Sequence, residues 1–167
     1  MRNFILVLLP LLALFLQTNF FRAYPLQGTI PDLILILVVF QALFNGAYKG
    51  TIYGVLCGLL EDLYIGRFIG INAISKGITA FVVGRLQGNV FKENLLVGVI
   101  GVTGGTLLNA GLLFVLSLAS HDIYNLDRSI LVSIFYQVIY NTVIAIPMYV
   151  WYYHSANQGV LRETGDR

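Results

Sequence analysis

Charged residues are scarce in this chain, ten Lys or Arg and eight Asp or Glu among 167 residues, so each one inside an apolar stretch could carry chemistry. The densest candidate region runs from Gly46 to Arg85. Gly46, Gly50, Gly54 and Gly58 recur every four residues, and one more such step reaches Asp62. On a helix this spacing makes a smooth stripe where another backbone can approach closely, ended by a carboxylate. Asp62 therefore faces protein, while Glu61, about 100° around the helix, points toward lipid headgroups. Lys76 lies one to two turns into the next apolar stretch, across a turn that contains Gly66 and Gly70. An ionisable group at that depth is expected to face the bundle interior or a partner. Asp62 and Lys76 read as an ion pair that fixes the hairpin; the other readings are a snorkelling lysine and a contact with a partner protein.

Catalysis finds little support. The sequence has no His-Glu-x-x-His, no Gly-x-Ser-x-Gly and no phosphate-binding loop ending in Lys-Ser/Thr. Ser120, His121 and Asp122 are consecutive, whereas a triad needs groups that converge from separate backbone positions. They read as a loop. His154 has no second ligand nearby and reads as an interfacial side chain, and Cys57 as a small hydrophobe that has no internal disulfide partner. Asn109 among the glycines 98, 101, 104, 105 and 111, and then Gln137, Tyr140 and Asn141, supply hydrogen-bonding groups inside otherwise apolar stretches. They read as glue between helices, with a polar pocket for a small molecule as the other reading. No catalytic residue, metal or cofactor is expected.

The elements that must position these residues follow from composition. With 57% hydrophobic and 11% charged residues, and a mean hydropathy of +0.80, the chain carries more apolar surface than a soluble fold can hide. Its length allows one transmembrane domain, 1–167, of about six helices. Apolar stretches place them near 4–21, 31–46, 50–65, 69–86, 95–119 and 130–153, with a short tail at 154–167. The second and third are short for a full crossing, which leaves open tilting, extension into their flanks or a re-entrant pair. The basic, apolar start resembles a signal peptide, but no Ala-x-Ala site follows it, and an uncleaved first helix is expected. Asp32 after Pro31 suits a helix start, and Pro10 and Pro147 should kink the first and last helices. Arg2, Lys49, Arg85, Lys92, Arg162 and Arg167 fall on one side, and Arg22, Arg67 and Arg128 on the other, which puts both termini in the cytoplasm. Tyr149, Trp151, Tyr152 and Tyr153 would then mark the inner interface. No run of Lys or Arg could track a phosphate backbone, so nucleic acid is not an expected partner.

Pro31-Asp32-Leu33, then Gly54-x-x-x-Gly58-Leu59-x-x-Asp62, then Gly66, Gly70 and Asn72, and finally Gly84-Arg85, together resemble the MreD family of rod shape-determining proteins. The resemblance is densest over 31–85. It implies a non-enzymatic subunit of the bacterial inner membrane that maintains cell shape. Its implied partners in peptidoglycan synthesis are MreC first, and through the complex MreB, RodA and a class B penicillin-binding transpeptidase. It also implies an all-α, six-helix bundle like the S components of energy-coupling-factor transporters. A solute-binding component of such a vitamin transporter is the alternative function. Glu61 and Arg67 have no counterpart in the family pattern.

Overall fold

The computed structural model describes residues 2–66, 69–89, 94–119 and 128–157. Arg67, Lys92, Ser120, His121, Asp122, Arg162, Arg167 and the tail from 158 onward lie outside the described residues. Every element described is helical. They are α1 (Arg2–Leu16), a π-helical stretch (Gln17–Phe21), α2 (Leu33–Ile65), α3 (Ile71–Gly84), a 3-10 turn (Gln87–Asn89), α4 (Leu95–Ala119) and α5 (Arg128–Asn157). Phe4–Phe21, Leu33–Ile65, Leu95–Ser117 and Leu131–Ala156 are each long and apolar enough to cross a membrane, while Ile71–Gly84 is apolar but shorter. The chain is a membrane protein.

The helices that the apolar pattern places at 31–46 and 50–65 are the two halves of α2, which one non-helical residue separates. Gly46 has φ 85° and ψ 176°, a backbone open to glycine and not to residues with a Cβ. A Cβ built on Gly50 would come within 2.6 Å of Ala42 Cα, although residues eight apart in a straight helix are separated by about 12 Å. The chain therefore doubles back at Gly46, and α2 is a hairpin with a one-residue turn. Its first half, 33–45, is about 20 Å long and buried on all sides from Leu33 to Leu43. That burial explains why the segment is apolar around its whole circumference. The second half, 47–65, packs chiefly against α3.

Side-chain contacts fix the directions of the outer helices. Tyr53 donates to Leu6 O at 3.0 Å and Gln17 to Glu61 at 3.4 Å, so α1 runs parallel to the second half of α2. Tyr140 donates to Tyr24 O at 3.2 Å, whereas Tyr152 donates to Gln41 Oε1 near the Gly46 turn. The start of α1 and the end of α5 thus share one face of the bundle. Tyr149 and Tyr152 are 2% exposed and lie against Phe40 and Phe44. Three residues apart, they share the inward face of α5, so they are core residues rather than interface markers; Trp151 is 47% exposed.

Candidate functional site

Three segments begin or end near one level of the bundle, and the polar residues gather there. Asp32 is the N-cap of α2: its Oδ1 accepts from Leu35 N at 2.8 Å, satisfying a backbone donor that the first turn leaves free. Its Oδ2 lies 2.7 Å from Lys76 Nζ, and Glu61 Oε2 lies 2.7 Å from the same ammonium. Lys76 is fully buried. The π-helical stretch adds a residue to one turn of α1 and directs Gln17 inward, where its Oε1 accepts from Leu33 N at 3.2 Å.

The layer continues into the remaining helices. Asn141 of α5 accepts from Asp32 N at 2.8 Å through Oδ1 and donates to Thr106 Oγ1 of α4 at 3.1 Å. Ser75 of α3 donates to Asn109 Oδ1 of α4 at 2.6 Å. One sheet of polar contacts therefore links α1, both halves of α2, α3, α4 and α5. In hydrocarbon each such group would be costly unpaired, and here Asp32, Lys76, Asn141, Thr106, Ser75 and Asn109 find partners on other helices. Asn109 and Asn141 belong to this layer. Gln137 and Tyr140 are only half-buried and lie apart from it, Tyr140 against the 22–32 loop.

The pairing expected from the sequence is corrected. Asp62 is buried, but its carboxylate turns to the start of α3. Oδ2 accepts from Gly70 N (2.9 Å) and Ala73 N (3.1 Å), and Oδ1 from Asn72 N (3.1 Å) and Asn72 Nδ2 (2.9 Å). The carboxylate so neutralises the free donors and positive end of α3. Lys76 is paired with Asp32 and Glu61 instead, and Glu61, 6% exposed, is in the interior rather than at the headgroups. The 100° between neighbouring residues is right; it turns Glu61 toward the centre of the bundle and Asp62 toward the helix end.

The glycine stripe is internal as well. A Cβ on Gly54 would stand 2.7 Å from Lys76 O, and one on Gly58 would stand 2.6 Å from Ala73 Cα. Gly50 meets Ala42, and Gly46 meets Gln87, whose amide donates to Phe44 O at 3.0 Å. Gly66 (φ 68°) and Gly70 (φ 108°) are not packing positions: nothing lies within 4 Å of a Cβ built there, and they serve to turn the chain between α2 and α3. Gln17 and the Asp32–Glu61–Lys76 grouping were not legible beforehand. The available signal was that Asp32, Glu61 and Lys76 are all ionisable within apolar surroundings, which requires them to meet one another.

The residues so assembled offer binding and rigidity. The buried Lys76 has both of its carboxylates within the chain, and Cys57 is a free, buried thiol. Among the described residues no group of three His, Cys, Asp or Glu side chains could hold a metal ion. In comparison with known proteins, the family model described as rod shape-determining protein MreD matches residues 1–157. No curated protein and no solved structure matches the chain.

Proposed function

The chain belongs to the MreD family of rod shape-determining proteins, and from that premise we propose that it is a non-enzymatic subunit of the wall-elongation complex, docking MreC. MreB, RodA and a class B penicillin-binding transpeptidase are engaged through that complex. The observation that carries the reading is the family match over 1–157. A polar layer that joins the helices largely through the chain's own side chains supports a scaffold role. We place the protein in the bacterial inner membrane with six passes, the two halves of α2 counted separately, in an S-component-like bundle with both termini cytoplasmic. Because Gly54 and Gly58 are covered by α3, the docking surface we assign is the outward apolar side of the bundle and the turn that Asp62 shapes.

The test is to purify the tagged protein in mild detergent and quantify what accompanies it. MreC in near-stoichiometric amount is the expected result. Recovery of an ATPase module with a bound small solute, and no MreC, would instead identify a transport component.

A further inference from the structure

A second feature concerns the face of the bundle opposite the chain termini. Between the end of α1, the 22–32 loop and the end of α2 lies a cavity of about 360 Å³, lined among others by Gln17, Thr18, Arg22, Glu61 and Tyr64. Its deep wall is Glu61, 6% exposed, and Gln17, 7% exposed; Arg22 is exposed. Glu61 keeps acceptor capacity on one oxygen. Among the described residues Oε1 receives only the long 3.4 Å bond from Gln17. Oε2 stands 2.7 Å from Lys76 Nζ and is enclosed by that ion pair, so Oε1 is the oxygen left to a further donor. Asp32, by contrast, holds a hydrogen-bonded Lys76 at 2.7 Å. Two carboxylates share one ammonium, and the carboxylate with spare acceptor capacity is the one that borders the cavity.

We propose that this cavity binds a zwitterion, a primary ammonium joined by a short linker to a phosphate or carboxylate, as in an ethanolamine phosphate headgroup. The ammonium donates to Glu61, where a further positive charge balances the Asp32–Glu61–Lys76 grouping, and the anionic end meets Arg22. A carboxylate at the base and a guanidinium on the lining select a dipolar ligand over a simple cation. A metal ion is disfavoured because no three ligating side chains converge among the described residues. A choline headgroup fails because its methylated nitrogen has no N–H to donate. The same chemistry is available from a membrane lipid or from a soluble zwitterion. The inference does not rest on the docking of MreC, since it is read on the isolated chain.

The full chain in detergent is tested with phosphatidylethanolamine and phosphatidylcholine of matched acyl chains by native mass spectrometry. Phosphoethanolamine and phosphocholine are tested by thermal shift. Saturable binding of the ethanolamine compounds, with the choline compounds at least about tenfold weaker, is expected from the loss of charge-assisted hydrogen bonds. Binding of the lipid alone assigns a membrane source; binding of phosphoethanolamine as well shows that the headgroup suffices. Glu61→Gln should abolish the discrimination. Because that change touches the buried ion cluster, Arg22→Gln, at an exposed position, and Thr18→Phe, which fills the cavity, are tested beside it. Arg22→Gln should weaken ethanolamine binding about tenfold, and Thr18→Phe should remove it. Equal binding of ethanolamine and choline compounds, no saturable binding, or wild-type binding in both Arg22→Gln and Thr18→Phe would overturn the proposal.

Discussion

Replacing Lys76 by Met removes the ammonium that two buried carboxylates share while keeping the length of the side chain. Each carboxylate is 2.7 Å from Nζ, and Lys76 itself is fully buried. Breaking a buried ion pair by deleting one partner costs about 3–5 kcal/mol, because the remaining charge stays behind without compensation. Here two charges stay behind, so the expected loss lies at the upper end of that range. Neutralising all three groups, Asp32→Asn, Glu61→Gln and Lys76→Met, should recover much of it, since an apolar or neutral replacement of a buried ion cluster is often nearly neutral. Reversible unfolding in mixed micelles measures each variant. Double-mutant cycles then assign the pairing. Lys76 with Glu61, and Lys76 with Asp32, should couple by about 0.5–3 kcal/mol, whereas Lys76 with Asp62, which share no direct contact, should add within about 0.5 kcal/mol. Wild-type stability of Lys76→Met, or a strong Lys76–Asp62 coupling, would refute the arrangement.

Gly58→Leu should sharply lower folded yield, since even its Cβ would fall on the backbone of Asn72 and Ala73. Gly104→Leu, at a glycine with nothing within 4 Å, should fold like wild type in the same size-exclusion assay. Asp62→Asn leaves one side-chain oxygen where two accept four hydrogen bonds. It should cost about 1–3 kcal/mol in unfolding measurements, and Lys76→Met should not rescue it. In a Cys57→Ser background, single cysteines at 121–127 should react with an impermeant thiol reagent on intact cells while those at 87–91 and 156–160 stay protected; labelling of the tail would reverse the proposed orientation.

Helix positions were legible where apolar runs are long and clearly bounded. The stretch 95–119 is α4 to the residue, and α5 extends the expected 130–153 by a few residues at each end. The four-residue glycine spacing marks close backbone approach at Gly50, Gly54 and Gly58, where it follows the periodicity of one helix, but not at Gly46, which is the non-helical residue of the turn. The partner of Lys76 was not legible, because it depends on where three segments far apart in sequence meet. Asp32 and Lys76 are 44 residues apart, and Asp32 and Asn141 are 109 apart. Local reasoning made Asp32 a helix cap, which its Oδ1 is; nothing local shows that its second oxygen meets a lysine. Nor could the spacing reveal that a π-helical turn would swing Gln17 inward.

The Gly46 reversal bears on how the protein is made. Asp32 and Glu61 are both synthesised before Lys76, so a nascent chain that has completed only the α2 hairpin carries two carboxylates with no counterion. Lipid is a poor solvent for that intermediate. The following segment, Ile71–Gly84, is apolar but shorter than the other spans and brings a lysine of its own. Neither piece satisfies its charges alone, yet together their charges meet and their glycine and alanine surfaces close. The two halves of α2 and the whole of α3 therefore complete one charge cluster that none of the three segments can satisfy by itself.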